Sequence, residues 1–191
     1  MKTGVLAIQG DFDAHRRRLL ELGANVVLVR RPADLEAVDA LVLPGGESTT
    51  FLKFLERDSF LEKLREFTRS KPVFGTCAGA ILLAREVTNP PQSTLGVLDI
   101  RICRNAYGRQ LESSIRTGST ALPGGPMEMV FIRAPRIEQV GAGVEVLATE
   151  AGDPVLVRSG NVMAATFHPE LSDDTRVHAA FLELARNGHP A

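Results

Sequence analysis

Short unbroken apolar runs alternate with stretches of helical spacing along the first half of the chain. Val5–Ile8, Asn25–Val29 and Ala40–Leu43 are runs of strand length, as expected for strands buried on both faces. Between the first two, Phe12, His15, Leu19 and Leu22 recur at helical spacing, Arg16 to Arg18 form a solvated face, and Gly23 supplies a stop. Phe51, Leu52, Phe54 and Leu55 begin a second helix and Phe60 to Thr68 form a third. A buried strand led in by Pro72 then runs into an apolar helix from Ala78 to Ala84. Strand, helix, strand with short links implies parallel strands and right-handed crossovers, hence an open α/β three-layer sandwich with a mostly parallel central sheet.

The second half is patterned differently. After a polar loop from Thr88 to Thr94, strand-like runs follow at Leu95–Ile102, Leu111–Ile115, Met127–Ile132, Val144–Thr149, Pro154–Arg158 and Val162–Thr166, with a Gly/Pro/Ser-rich loop from Thr117 to Pro126. No helix of useful length separates them, so they are expected to add an antiparallel section to the sheet. Arg176 to Asn187, with Val177, Phe181, Leu182 and Leu184 inward, closes the chain before a short tail. Residues 1–191 are expected to form one domain.

Charge and composition narrow the partners. With 22 basic and 23 acidic residues there is no general attraction to nucleic acid or to an anionic membrane. The apolar run at the N-terminus is too short for a signal peptide, and nothing approaches the ~20 residues of a spanning helix. A cytoplasmic protein is expected, with Cys77 and Cys103 as free thiols.

The chemistry concentrates in Gly75-Thr76-Cys77-Ala78-Gly79, which puts Cys77 on the turn between a strand and a helix. Glycines two residues either side remove side chains where the two elements crowd, the steric logic of a nucleophile elbow with sulfur in place of oxygen. Backbone N–H groups at the helix start, that of Ala78 first, favour negative charge on the sulfur and face a developing oxyanion. On this stretch alone a small buried core cysteine is the alternative. A second strand end carries Pro44-Gly45-Gly46-Glu47-Ser48-Thr49-Thr50, where a glycine pair lets N–H groups turn toward a ligand. The alternative there is a tight turn with Ser48 or Thr49 as helix N-cap.

A nucleophilic cysteine needs a base, and the chain has four histidines. His15 and His178 lie on amphipathic helices, where a surface or half-buried histidine is the ordinary case, and His189 is in the tail. His168 instead follows a strand in Phe167-His168-Pro169-Glu170-Leu171, and Pro169 biases it towards an extended conformation. Residues two apart in an extended segment share a side, so Glu170 can hold one imidazole nitrogen and leave the other for the thiol.

These segments, with Leu6-Ala7-Ile8-Gln9-Gly10, Arg104-Asn105-Ala106-Tyr107-Gly108-Arg109-Gln110 and Phe131-Ile132-Arg133-Ala134-Pro135, resemble the class I (triad) glutamine amidotransferases. Within that class the similarity is closest to the glutaminase subunits of pyridoxal 5'-phosphate synthases. It spans nearly the whole chain; Ser113-Ser114 and Thr117 to Pro126 fit least well. The resemblance implies Cys77 as nucleophile, His168 and Glu170 as its charge-relay partners, and glutamine contacts from Gly46, Glu47, Ser48, Arg104, Ile132 and Arg133. An oxyanion hole is expected from Gly46 and Ala78, with the Gln9 amide nearby. Free glutamine carries an α-carboxylate and an α-ammonium, which Arg104 and Glu47 would complement.

The implied reaction is hydrolysis of L-glutamine to glutamate and ammonia, with no cofactor or metal. The length leaves no residues for a domain that consumes ammonia, so either the acceptor site is on another protein or the ammonia is simply released, and the resemblance implies the first. The resemblance makes that partner the synthase subunit that builds pyridoxal 5'-phosphate from ribose 5-phosphate and glyceraldehyde 3-phosphate. Two alternatives stand beside it: the glutaminase subunit of imidazole glycerol phosphate synthase, and a non-catalytic elbow-cysteine sensor or binding module.

Overall fold

A computed structural model describes residues 1–57, 59–106 and 113–187. The latter part of the Arg104–Gln110 segment, the start of the strand expected at Leu111–Ile115, and His189 with the tail lie outside the described residues.

The first half of the chain gives β1 (Lys2–Leu6), α1 (Phe12–Glu21), β2 (Asn25–Val29), β3 (Ala40–Leu43), α2 (Ser48–Leu55), α3 (Phe60–Thr68), β4 (Val73–Thr76) and α4 (Ala78–Leu83). It continues through β5 (Ala84–Thr88), β6 (Leu98–Cys103), β7 (Ser113–Thr120), β8 (Met127–Ile132), β9 (Arg136–Val140), β10 (Glu145–Glu150), β11 (Asp153–Ser159), β12 (Val162–Ala165) and α5 (Arg176–Asn187). Nine strands form one sheet in the order β2-β1-β3-β4-β12-β11-β10-β7-β8. The first five in that order run parallel, and from β12 onward each neighbour is antiparallel. The mixed α/β sheet expected from the patterning is therefore present, with its parallel and antiparallel parts side by side; β12, expected in the antiparallel section, is instead the junction, parallel to β4 and antiparallel to β11.

Period-two alternation sorts the core into two layers. Leu41, Leu43, Val73, Val162 and Ala164 face α2, α3 and α4, whereas Val42, Phe74, Met163 and Ala165 face α1 and α5. β3, β4 and β12 are buried on both faces along their whole length and β1 is buried beyond Lys2, which favours apolar residues, whereas β2, at the sheet edge, is only partly buried.

Three features depart from the sequence reading. The helix after the elbow stops at Leu83, and Ala84 turns directly into β5 with extended dihedrals. Leu98–Cys103 does not join the main sheet but lies between β5 and β9 in a separate three-stranded sheet. Its apolar residues Ile100 and Ile102 alternate with exposed Arg101, and β5 and β9 carry so many charges that neither stands out as an apolar run. Finally, the strand expected to end at Ile115 runs on to Thr120, paired to β8 from Ser113 to Gly118 and to β10 at Ser119 and Thr120, so the first part of the expected loop is strand. As one edge-region ribbon it is held by backbone pairing and needs little apolar content.

Candidate active site

Sheet register brings the scattered segments together. β4 lies between β3 and β12, with Leu43 opposite Gly75 and Ala165 opposite Thr76. Pro44-Gly45-Gly46 therefore leaves its strand on one side of Cys77, and Thr166-Phe167-His168 leaves on the other. The Cys77 N–H donates to the Ala165 carbonyl at 2.9 Å, continuing the pairing one residue past the strand. All three segments emerge at the carboxyl ends of parallel strands, where open α/β sheets place their sites.

The elbow is built as its glycines suggest. Cys77 has φ 47° and ψ −102°, outside the region an L-residue ordinarily adopts, and starts α4 directly. A Cβ on Gly75 would lie 2.5 Å from the carbonyl carbon of Gly79, and one on Gly79 would run into the Leu43 carbonyl oxygen. Strand and helix thus touch backbone to backbone on both sides of the cysteine. With only six residues, α4 supplies a shorter dipole than the sequence suggested.

His168 and Glu170 do meet, but through a different local geometry from the one expected. Pro169–Leu171 is a single 3-10 turn rather than extended chain, with His168 as its N-cap. The turn folds the carboxylate back so that Glu170 Oε1 accepts from His168 Nδ1 at 2.7 Å, both residues being buried. Nδ1 is thereby committed and Nε2 is left for the sulfur. Burial pushes the His168 imidazolium towards losing its proton, but hydrogen bonds with Cys77 and then Glu170 outweigh it and raise the pKa to about 10. His168 is held cationic at neutral pH.

A cleft of about 250 Å³ opens over this pair, lined by Gly46, Glu47, Ser48, Arg104, Ile132 and Arg133 together with Cys77 and His168. All six residues expected to contact glutamine thus converge on it. Glu47 is the N-cap of α2: its carboxylate accepts from the Thr49 N–H at 2.9 Å and the Thr50 N–H at 2.7 Å. A hydrogen bond with the Thr50 side chain foremost, joined by these backbone bonds, pulls its pKa down to about 2 against the opposing effect of burial. The cap is therefore Glu47, not Ser48 or Thr49. Arg104 donates to Thr49 Oγ1 at 2.8 Å and stands 3.8 Å from Glu47 Oε1, so cation and anion sit side by side at the cleft wall.

The Gln9 amide lies under the glycine turn and donates to the Glu47 carbonyl at 3.2 Å. Gly46, at φ 145°, packs against it so closely that a Cβ would come 2.6 Å from its nitrogen. Ala78 is buried behind the cysteine. Asp11, on the loop after β1, also lines the cleft, with its carboxylate 4.0 Å from His168 Nδ1. Asp11, His168 and Glu170 bring one donor atom each within 4.8 Å of one another, but the short His168–Glu170 hydrogen bond already engages two of the three.

Sequence reasoning missed the layer beneath. His15 and His178 are fully buried, not half-exposed, because α1 and α5 pack side by side over Phe74. His15 Nδ1 is 2.9 Å from His178 Nε2, and His15 Nε2 is 3.0 Å from Thr76 Oγ1 and 3.3 Å from Glu170 Oε2. Arg18 likewise leaves the expected solvated face: it binds Asp173 at 2.7 Å and reaches the Glu170 carbonyl at 3.4 Å. Apolar spacing could place His15 on the inner side of α1, but nothing local says what it meets there.

An open α/β sheet that carries a cysteine elbow at one strand end and a histidine–glutamate pair at the next defines the triad amidotransferase class. The chain belongs to the SNO glutamine amidotransferase family, whose sequence model matches residues 5–187. It is 65% identical over 189 residues to the pyridoxal 5'-phosphate synthase subunit PdxT of Koribacter versatilis, covering 99% of this chain and 98% of that protein. The subunit of the same name from Thermotoga maritima is 50% identical over 188 residues, covering 97% and 100%. A solved glutamine amidotransferase structure superposes with a TM-score of 0.90 at 47% identity, covering 96% of this chain and 98% of that one. Among the described residues no helix is long and apolar enough to cross a membrane.

Proposed function

We propose that this chain is the glutaminase subunit of a pyridoxal 5'-phosphate synthase, which hydrolyses L-glutamine to glutamate and passes the ammonia to its synthase partner. The observation that carries the site assignment is the 2.7 Å Nδ1–Oε1 pair of His168 and Glu170 set against an elbow cysteine at the floor of the cleft. Its cationic His168 is the acid for the leaving nitrogen, in a reactive state in which Cys77 attacks as the thiolate.

From that state the Cys77 sulfur attacks the δ-carbonyl carbon of glutamine, and the C=O electron pair moves onto oxygen. N–H groups of Ala78 and Gly46 hold the oxyanion, each contributing on the order of 10² to 10³ in rate; Gln9 supports the turn that carries Gly46. Collapse of the intermediate breaks the C–N bond while His168 Nε2–H protonates the nitrogen, so ammonia leaves and a γ-glutamyl thioester remains. Neutral His168 then takes a proton from water, whose hydroxyl attacks the thioester. Glutamate departs and the sulfur and imidazolium are restored. Throughout, Glu170 holds the ring in the tautomer that presents Nε2.

The cleft wall accounts for recognition of the free amino acid. Arg104 and Arg133 supply charge for the α-carboxylate, Glu47 accepts from the α-ammonium, and Ser48 and Ile132 shape the remainder. With a depressed pKa, Glu47 keeps its charge across the physiological range. The whole chain forms one amidotransferase domain, and the ammonia-consuming chemistry belongs to the partner. Its reaction belongs in the cytoplasm, consistent with two free cysteines. The imidazole glycerol phosphate synthase reading and the sensor reading are not favoured: the relatives above bear the pyridoxal 5'-phosphate synthase name, and a sensor thiol needs no oriented His–Glu pair.

Ammonia release from L-glutamine, measured for the chain alone and with added synthase subunit, tests the proposal. Strong stimulation by the partner, abolished in Cys77→Ala with the fold intact, is expected. No release in either condition overturns it, and equal release in both would sink the coupling to the partner.

A further inference from the structure

The glutamine chemistry leaves two fully buried histidines unused, and they form a chain that ends on the Glu170 carboxylate. Glu170 uses Oε1 for His168, while its buried Oε2 has no conventional hydrogen bond among the described residues and has His15 Nε2 at 3.3 Å. At the far end, His178 Nδ1 is buried without a hydrogen-bond partner among the described residues. Between them lies the 2.9 Å contact of His178 Nε2 with His15 Nδ1. One of these two nitrogens must bear the proton and the other the lone pair.

Of the two neutral wirings, one satisfies the Glu170 end and leaves the smaller penalty at His178. If His178 carried its proton on Nδ1, a buried N–H would be left unmade, and His15 would have to donate from Nδ1. The bare lone pair of His15 Nε2 would then face a carboxylate oxygen, two acceptors against each other. In the opposite wiring His178 Nδ1 is a bare lone pair, the less costly orphan, and His178 Nε2–H donates to His15 Nδ1. His15 Nε2–H then points at both Thr76 Oγ1 and Glu170 Oε2 as a three-centre donor. Both rings stay neutral: burial, reinforced by His178 and His168, drives the His15 pKa well down, and burial with Arg18 nearby lowers that of His178 to about 4.

We propose that His15 is a positioning residue for the triad: its Nε2–H holds Glu170 Oε2, and His178 behind it locks that tautomer. The carboxylate that orients His168 is thus itself oriented from α1 and α5, on the opposite side of the sheet from α2 and α4. Thr76 immediately precedes the nucleophile, so one imidazole nitrogen ties the strand that carries Cys77 to the turn that carries Glu170. Phe74 stacks edge-on against both rings, which keeps the pair from rotating away.

The kinetic role rests on the glutaminase reading above; the tautomer assignment does not. In the complex with the synthase subunit, His15→Leu is expected to lower kcat by about ten- to a hundredfold, the scale of a hydrogen bond to a charged group, with KM for glutamine within about twofold. His15→Gln, whose amide nitrogen can replace Nε2–H, is expected to return most of the lost rate, a rescue that a purely space-filling role would not produce. Unchanged kcat in folded His15→Leu, or a Gln variant as slow as the Leu variant, overturns the proposal. Nitrogen-15 NMR of ring nitrogens in the unaltered protein is independent of whether any variant folds. Both His15 and His178 are expected as neutral Nε2–H tautomers at neutral pH, and an Nδ1–H tautomer or an imidazolium at His15 overturns the assignment. Absence of glutaminase activity in the unaltered complex would instead count against the glutaminase reading, while the NMR result would still decide the wiring.

Discussion

Gly45 and His168 are in such close contact that a single methyl group on Gly45 would lie 2.5 Å from the Cε1 of the imidazole ring and 3.4 Å from the Cys77 Cβ. This strand end therefore acts by absence: it leaves the space into which the His168 imidazole fits. Gly45→Ala is expected to push the ring off its line to the sulfur and lower kcat by about 10² or more, the effect of misplacing a reacting group by about 1 Å. Ammonia release in the complex checks this, with circular dichroism to show that the fold survives.

Gly79 serves the backbone rather than the base. Its missing Cβ leaves room for the Leu43 carbonyl, so Gly79→Ala forces strand and helix apart. A loss of about 1–3 kcal/mol is expected from overpacking, seen as a lowered urea midpoint, together with loss of activity.

Glu170→Gln keeps the size of the side chain and removes its charge. The amide can present a donor to His168 Nδ1 and stabilise the wrong tautomer, so kcat is expected to fall by about 10³ to 10⁴ with little change in KM, as for the corresponding change in serine triads. Comparable turnover in this variant would remove Glu170 from the relay.

The raised pKa of His168 predicts a pH dependence of stability. The folded state holds the proton up to about pH 10, whereas the unfolded chain releases it near 6.5. The stabilisation is thus fully present below about pH 6.5 and is lost as pH rises towards 10. Chemical denaturation of the wild type and of His168→Gln at several pH values is expected to show a steeper decline over this range in the wild type.

Glu47 caps a helix and lines the cleft at once. Glu47→Ala is expected to cost about 1 kcal/mol through the lost cap, or about 2–4 °C in Tm, and also to raise KM for glutamine. An effect on Tm alone would separate the cap from recognition.

Much of the site was legible in local sequence because its geometry is local. The elbow needs glycines at fixed offsets from Cys77, and a strand running into a helix at Gly75–Gly79 leaves few other places for that side chain. Phe167-His168-Pro169-Glu170 was legible as a pair, although the pair meets through a 3-10 turn and not through extended chain. β1, β3 and β4 showed themselves because burial on both faces favours apolar runs, and β2 did so although it is only partly buried at the sheet edge; β12, expected with the antiparallel section, instead pairs parallel with β4. The small sheet did not, since β5 carries adjacent exposed Arg85 and Glu86, β9 carries exposed Arg136 and Glu138, and no apolar run marks either strand.

The fate of His15 and His178 was not legible at all. They are 163 positions apart in the chain, and each alone looks like a polar residue on an amphipathic helix. Their juxtaposition arises when α1 and α5 close over Phe74, and only then does a polar residue on a helix become a buried group that must find a partner.

Sequence by itself singled out Cys77, His168 and Glu170 as neighbours at one sheet end and the α/β frame that displays them, because short-range sterics and burial periodicity are written within a few positions. Tertiary structure alone decided which carbonyl the glycines accommodate, which oxygens of Glu47 and Glu170 are engaged, and what stands behind the triad. Those are contacts between elements distant in the chain, set by the register of β3, β4 and β12 and by the packing of two helices that share no local pattern.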